Sequence, residues 1–129
     1  MTVVVDASVV VSLWLDPVAS PLIADRLGGE SLYAPEHLLV EATNVLRRRR
    51  NAGLLDLASA ETAFAALMEM PVQLWPFSSI AQRAWRLGAN ASSYDAAYLA
   101  LAECLSAPLL TRDARLSRAP GARCTVVVV

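Results

Sequence analysis

Short apolar runs that suit buried strands alternate with helical stretches along the whole chain. The first run, Val3–Val5, is continuously apolar and β-branched, a pattern typical of a parallel strand that is buried on both faces. Comparable runs follow, and the predicted strands are residues 3–5, 32–34, 72–75, 108–111 and 124–129. Because helical segments separate the strands, the chain is predicted to be an α/β protein with a central parallel sheet.

The helical stretches begin and end at typical capping and breaking residues. They are predicted at residues 7–15, 20–27, 35–51, 56–70, 80–87 and 95–105, with a helical turn at 113–117. Ser20, before Pro21, and Ser78 or Ser79 are expected to cap the helices that follow them. In the helix at 56–70, the residues expected to face inward are Leu57, Phe64, Ala65, Leu67 and Met68.

A length of 129 residues predicts one domain, residues 1–129. With 56% apolar residues, the chain can form a core without disulfides, so Cys104 and Cys124 are expected to be reduced and in or near that core. Every long apolar stretch is interrupted by a charge, which argues against a membrane span. No positively charged residue precedes Arg26, so no secretory signal is expected and the protein is predicted to be cytoplasmic.

Residue types on which common hydrolases depend are missing from the sequence. The chain contains no lysine, which excludes a phosphate-binding loop of the Gly-Lys type. His37 is the only histidine, and no serine lies in a Gly-x-Ser-x-Gly elbow, so a hydrolytic triad is not expected. His37 itself is interpreted as a helix-start residue without a catalytic role. Carboxylates, together with a metal ion, are left to carry the chemistry.

Two aspartates follow predicted strands. Asp6 comes directly after the strand at 3–5, and Asp113 comes two residues after the strand at 108–111. The carboxyl ends of parallel strands meet at one edge of a sheet, and open α/β folds bind their ligands there. Each aspartate could instead cap the helix that follows it. Position alone leaves both interpretations open for either residue.

Two further acids lie on predicted helices. Glu41 is beside the apolar stripe of its helix, where an ionised group is partly desolvated and needs a partner. That partner is either an arginine such as Arg48 or a bound ion, and Asn44 shares the same helix face. Asp95 follows Ser92 at the spacing of a capping box, so capping is the simplest explanation of Asp95 taken alone.

The four acids together predict more than each does alone. Carboxylates within a few ångströms of one another would have raised pKa values unless a cation neutralised their charge. Mg²⁺ and Mn²⁺ are hard ions that accept carboxylate oxygens and keep several waters. Such an ion supports hydrolysis of a phosphodiester, so the acids predict a metal-dependent nuclease.

Four motifs carry these acids: Val-Val-Val-Asp-Ala-Ser at 3–8, Glu-Ala-Thr-Asn-Val-Leu at 41–46, Ser-Tyr-Asp-Ala-Ala-Tyr-Leu-Ala-Leu-Ala at 93–102, and Leu-Thr-Arg-Asp at 110–113. Their order and spacing resemble those of the PIN-domain family. In size and motif order, the chain is most similar to the VapC toxins of bacterial toxin–antitoxin pairs. The resemblance extends over essentially the whole chain, and its strength lies in the four motifs occurring together.

The resemblance implies a three-layer α/β/α fold and an endoribonuclease that depends on Mg²⁺ or Mn²⁺. The residues that match the acidic quartet of the family are Asp6, Glu41, Asp95 and Asp113. Of these, Asp6, Asp95 and Asp113 are expected to hold the ion, and Glu41 to position or deprotonate the attacking water. Ser8 and Thr111 match hydroxyl positions beside the first and last acids. The resemblance also implies a VapB-like antitoxin as partner and a homodimer.

The formal net charge of −1 gives the chain no overall attraction to a polyanion such as RNA. With the four acids neutralised by metal, 11 arginines face 8 remaining acids, a balance of +3. Arg112 and Arg115 flank Asp113 and are expected to contact the RNA backbone, whereas Arg47–Arg50 suit either phosphate binding or a solvated face. The aromatic residues expected in the core or at an interface are Trp14, Trp75, Trp85, Tyr94 and Tyr98.

Two other functions compete with the ribonuclease. The first is a catalytically silent protein of the same fold that works through antitoxin or dimer contacts. The second is a nuclease with the same metal chemistry that acts on DNA, which the short chain disfavours.

Overall fold

The computed structural model describes residues 1–89 and 91–129. Strands and helices alternate along this part of the chain as β1 (Thr2–Val5), α1 (Ala7–Leu15), α2 (Ser20–Leu27), β2 (Ser31–Pro35), α3 (Leu38–Asn51), α4 (Leu57–Glu69), β3 (Val72–Trp75), α5 (Ala81–Leu87), α6 (Ser93–Leu105), β4 (Leu109–Thr111) and β5 (Val126–Val128). Two 3₁₀ turns, Phe77–Ser79 and Ala114–Arg118, complete the sequence of elements. Each predicted strand and helix is confirmed, with shifts of a few residues at the ends.

The strands form one parallel sheet in the order β3-β2-β1-β4-β5. Helices α1 to α4 contact one another, and α5 packs on α6 as a separate pair, so the helices form two groups around the sheet. The α/β architecture with a central parallel sheet is therefore confirmed. Strand β1 lies at the centre, as its continuously apolar sequence predicted, and Val4 and Val5 are fully buried.

The chain order of the strands creates a crevice beside β1. From β1 the chain moves outward to β2 and β3, and then crosses back to add β4 and β5 on the other side of β1. The connections that leave β1 and β4 thus diverge at the carboxyl edge of the sheet, the usual ligand position in open α/β folds. Asp6 and Asp113 follow these two strands and therefore lie at the same edge.

Helix α6 forms the most buried part of the core. Its residues 96–102 are all buried, and four of these seven residues are alanines, which lets the helix lie close to the sheet. Contacts with β1, β2 and β4 fix the helix against the middle of the sheet. Because Asp95 immediately precedes this buried segment, the position of that carboxylate is set by the core.

Two predicted helix caps are wrong. Helix α2 has Ala19 at its cap position, and the Ser20 hydroxyl instead donates to the carbonyl of Leu13 at 2.7 Å. Helix α5 begins after Ile80, because Ser78 and Ser79 belong to a 3₁₀ turn in which Ser79 donates to its own turn. Both serines that donate, Ser20 and Ser79, make a local hydrogen bond to a backbone carbonyl, an interaction that competes with helix capping.

The inward face of α4 also differs from the prediction. Its buried residues are Ala60, Ala63 and Leu67, whereas Phe64 and Met68 are 40% and 44% exposed. Small residues let α4 approach its neighbours closely, so the larger side chains are displaced to the rim. Leu57 and Ala65 are exposed as well, and only Leu67 of the five predicted residues is buried.

Several other large side chains are exposed. Of the aromatic residues predicted in the core or at an interface, Tyr98 is buried in the core, whereas Trp85 is 86% exposed and Tyr94 is 60% exposed, which leaves the interface alternative for these two. Both cysteines are free, but Cys104 is exposed and only Cys124 is partly buried. Helices of this length and polarity are too short or too charged to cross a bilayer, and none in the described part of the chain qualifies as a membrane span.

Candidate active site

Asp6 is the most buried acid at the carboxyl edge of the sheet, with only 6% of the residue exposed. It caps helix α1, because Oδ1 accepts from the backbone N–H of Val9 at 3.2 Å. Oδ1 also accepts from the Ser8 hydroxyl at 2.6 Å, and Oδ2 accepts from the Thr111 hydroxyl. The helix-cap interpretation is therefore correct for Asp6, but it accounts for only one of three hydrogen bonds.

Burial raises the pKa of Asp6 above its ordinary value, and the negative charge of Glu41 adds to this effect. The three hydrogen bonds oppose it by stabilising the carboxylate. Burial prevails, so the protein holds this carboxylate in a place where its charge is costly. A nearby cation would relieve that cost.

Thr111 joins the ends of β1 and β4. Its side chain is fully buried, and its hydroxyl accepts from the backbone N–H of Asp113 at 3.0 Å while it donates to Asp6. Ser8 makes a parallel link, since its oxygen accepts from the backbone N–H of Arg112 at 3.0 Å. The two hydroxyl residues therefore tie the loop after β4 to the first acid.

Asp113 is held by its own neighbour, Arg115. The Asp113 carboxylate accepts from the Arg115 backbone N–H, from Nε at 3.0 Å and from Nη2 at 2.6 Å. This guanidinium lowers the pKa of Asp113. Because Arg115 is 80% exposed, the guanidinium can leave the carboxylate without disturbing the core. Arg112 is likewise paired, with Nη1 donating to Asp16 Oδ2 at 2.8 Å.

Glu41 reaches the site from the first turn of α3. Its Oε1 accepts from the Tyr98 hydroxyl at 2.9 Å and lies 3.0 Å from Nε2 of His37. The predicted alternative, an ion pair with Arg48, is wrong, because Arg48 lies in the last turn of α3 and is exposed. Sequence reasoning missed both actual partners, although the spacing of His37 and Glu41, one helical turn, was a usable signal.

Asp95 lies in the first turn of α6, where its backbone N–H donates to Ser92 Oγ at 3.1 Å, as the predicted cap requires. Burial raises the pKa of Asp95, and the charges of Asp113 and Glu41 raise it further. Asp95 is thus close enough to two of the other acids to sense their charge. The cap accounts for the hydrogen bond of the Asp95 backbone N–H, but it does not explain why the Asp95 carboxylate is half-buried.

The four acids therefore come from four separate segments and lie in one electrostatic neighbourhood. The charge of Glu41 raises the pKa of Asp6, and the charges of Glu41 and Asp113 raise the pKa of Asp95. Within residues 1–89 and 91–129, no three side chains of His, Cys, Asp or Glu stand in the arrangement of a formed metal site. The Asp113 carboxylate is bound by the Arg115 guanidinium.

The donor set nevertheless suits a hard divalent cation. All four groups are carboxylates, the oxygen ligands that Mg²⁺ and Mn²⁺ prefer. The pKa values of Asp6 and Asp95 are raised chiefly by burial and further by neighbouring carboxylates, so a cation would stabilise charges that are otherwise unfavourable there. Asn44 is exposed on α3 and, with Glu41 and Arg47, lines an open groove of about 760 Å³. Of the four acids only Glu41 lines this groove, so solvent and a larger ligand can approach that carboxylate from it.

The fold is a parallel sheet flanked by helices, and its acids lie near the point where the strand order reverses. The PIN-domain model matches residues 3–122, and the chain belongs to that family. The match includes every acid discussed above.

The relatives narrow the family to the VapC ribonucleases. The chain is 40% identical over 131 residues to "Ribonuclease VapC1" of Mycobacterium tuberculosis, covering 98% of this chain and 96% of that protein. Among solved structures, it is similar to M. tuberculosis VapC20, described as a sarcin-ricin loop cleaving toxin, with a TM-score of 0.69, 18% identity, and 92% and 95% of the two chains covered. A toxin-antitoxin complex from Klebsiella pneumoniae gives a TM-score of 0.63 at 16% identity, with 98% and 96% covered.

Proposed function

We propose that this chain is a VapC-type toxin, an endoribonuclease that depends on Mg²⁺ or Mn²⁺. The observation that supports the proposal is electrostatic: the charge of Glu41 affects the pKa of Asp6, and the charges of Glu41 and Asp113 affect the pKa of Asp95. These interactions connect acids that lie far apart in the sequence. The ribonuclease relatives support the choice of RNA over other phosphodiesters.

Asp6, Asp95 and Asp113 would hold the ion. When bound there, Mg²⁺ or Mn²⁺ supplies Lewis-acid stabilisation of the charge that develops on the phosphodiester. Ser8 and Thr111 keep the Asp6 carboxylate in one orientation through their hydroxyl groups. Asp113 joins the set once its carboxylate leaves Arg115.

Glu41 would position or deprotonate the attacking water. Its Oε1 is occupied by Tyr98, and within the described residues Oε2 has no protein donor, so Oε2 can accept from a water. Arg112 and Arg115 lie on the loop beside Asp113, and both can exchange a carboxylate partner for an RNA phosphate. Asn44 faces the groove beside Glu41 and can contact the same strand.

A VapB-like antitoxin and a second copy of the chain are the proposed protein partners. The structural likeness to a toxin-antitoxin complex supports the first. The exposed apolar side chains around the groove support a protein contact near the acids; they are Val40, Phe64, Met68 and Tyr94. An antitoxin in this groove would also keep RNA away from the site.

The direct experiment is cleavage of a panel of structured RNAs by the purified chain. We expect site-specific cleavage with Mg²⁺ or Mn²⁺, no cleavage with EDTA, and full recovery when Mn²⁺ is returned in excess. EDTA chelates the divalent ion, which is the proposed counterion of the carboxylates and the proposed source of Lewis-acid catalysis. Cleavage that continues in EDTA would show that the acids do not act through a metal.

One observation favours the catalytically silent alternative. Both oxygens of the Asp113 carboxylate are engaged by Arg115, as expected for an acid with a purely structural role. Calorimetry with Mn²⁺ separates the two functions. A silent module takes up no Mn²⁺, or takes it up equally well after Asp113→Asn, whereas the nuclease loses uptake in that variant.

Replacement of Arg115 tests whether the arginine competes with the ion. We expect Arg115→Ala to tighten Mn²⁺ binding about 2- to 5-fold, because the exposed ion pair with Asp113 is broken. Calorimetric titration of wild type and variant measures the change. Arg26→Ala, which removes an exposed arginine on α2, is the matched control and leaves the affinity unchanged. Weaker Mn²⁺ binding in Arg115→Ala would contradict the competition.

A further inference from the structure

We infer that His37 is a positioning residue that, together with Tyr98, holds the Glu41 carboxylate in its working orientation. The inference rests on the proposed function, since it assigns a task at that same site. His37 stands at the start of α3, as the sequence predicted, but the inference replaces the prediction that it has no role at the site.

The His37 ring is packed among the side chains of the site. It immediately precedes α3, yet its side chain makes no capping hydrogen bond to that helix. The ring meets Tyr94 and Tyr98 edge to face, with centroid distances of 5.4 Å and 5.0 Å. Only 17% of the His37 side chain is exposed. The imidazole is therefore fixed in direction by two aromatic rings of α6.

Two polar atoms converge on one oxygen of Glu41. The Tyr98 hydroxyl donates to Oε1 at 2.9 Å, and Nε2 of His37 lies 3.0 Å from the same oxygen. Burial and the charge of Glu41 raise the pKa of Tyr98, so the hydroxyl keeps its proton and remains a donor. Because the carboxylate is planar and rigid, contacts to Oε1 from two side chains also fix the direction of Oε2.

The His37 contact is close but incompletely formed. Nε2 is shielded from solvent, and although it lies at ion-pair distance from Glu41, it has no aligned hydrogen-bond partner. A buried polar nitrogen without a partner costs free energy, and a phenyl ring would fill the same space at lower cost. Catalytic contacts are often poorly aligned before substrate binds and improve in the loaded site. This cost at the position next to Glu41 is what points to a role in function.

The test compares His37→Phe, which keeps the ring packing, with His37→Gln, which keeps a side-chain donor. We expect His37→Phe to lower kcat for RNA cleavage about 10-fold with little change in KM, the scale of losing one orienting contact. His37→Gln should recover at least part of the loss. In the double variant with Tyr98→Phe, the losses should not simply multiply, because both side chains contact the same oxygen of Glu41.

Wild-type kcat in His37→Phe, or equal losses in His37→Phe and His37→Gln, would overturn the inference. A second measurement is independent of catalysis: ¹⁵N NMR of the His37 ring should show a shift of the Nε2 resonance on Glu41→Gln. An unchanged resonance overturns the contact even if RNA is cleaved. If the wild type cleaves no RNA, the proposed function has failed, and the NMR result alone decides whether His37 holds Glu41.

Discussion

Asp6→Asn should lower RNA cleavage by at least about 100-fold and at the same time raise the melting temperature. The loss follows because Asp6 is the best-buried ligand proposed for the ion, and an amide is a far weaker ligand than a carboxylate. The gain follows because burial makes the charge of Asp6 unfavourable in the folded protein. Substitutions that trade activity for stability in this way commonly stabilise by about 1 kcal/mol.

The gain should depend on pH with a definite sign. Folding raises the pKa of Asp6 above its unfolded value of about 3.9, so in the window between the two the native state binds more protons. Wild-type stability therefore falls as pH rises from about 4 through the folded pKa, and Asp6→Asn escapes that fall. The difference in unfolding free energy should be small at pH 4 and full at neutral pH, as measured by urea denaturation.

Asp56→Asn is the matched control for this prediction. Asp56 also caps a helix, but it is exposed, and its hydrogen bonds with Ser59 lower its pKa. Its variant should lose stability at neutral pH, with the loss fading as pH falls below about 4, and should keep its RNA cleavage. A destabilised Asp6→Asn at neutral pH would show that the three hydrogen bonds, and not burial, dominate at that carboxylate.

Thr111→Val should destabilise the fold by about 2–3 kcal/mol, roughly 10 °C in melting temperature. Valine fills the same volume, but it removes the hydroxyl that donates to Asp6 and accepts from the Asp113 N–H. The buried carboxylate then loses a donor, and the backbone N–H loses its acceptor. Cleavage should also fall about 10- to 100-fold, because both acids lose a shared orienting group.

Thr111→Ser retains the hydroxyl and should recover most of both properties. Combining Thr111→Val with Asp6→Asn supplies a further check, since the cost of the valine should shrink once the carboxylate is neutral. The cycle is completed by thermal unfolding of the wild type, Thr111→Val, Asp6→Asn and the double variant. Additive effects would show that Thr111 and Asp6 contribute to stability independently, contrary to their hydrogen bond.

The architecture could be predicted from the sequence because the spacing of apolar residues, and the residues that begin and end each element, directly reflect the backbone conformation. The continuously apolar Val3–Val5 predicted the central strand, and the carboxyl-edge rule then predicted that Asp6 and Asp113 would meet. The burial of Tyr98 also followed from the helical stripe that contains it. These features depend on local pattern and on general topology, and both can be read from one sequence.

The differences between prediction and structure arise where tertiary packing selects among residues that look alike in the sequence. The inward face of α4 is set by close approach to neighbouring helices, which favours Ala60 and Ala63 over Phe64 and Met68. The partner of Glu41 depends on how α6 packs against the start of α3, and that packing brings Tyr98 to it from 57 residues away. No single-helix pattern contains this information.

The hydrogen bond between Thr111 and Asp6 spans 105 residues of sequence. Strand β1 can pair with β2 early in synthesis, but its other side stays open until β4 has been made and inserted there. A chain still growing on the ribosome therefore has only one wall of the crevice until residue 113 has emerged. A product truncated before β4 would therefore lack Thr111 and Asp113, and we expect it to have no working site.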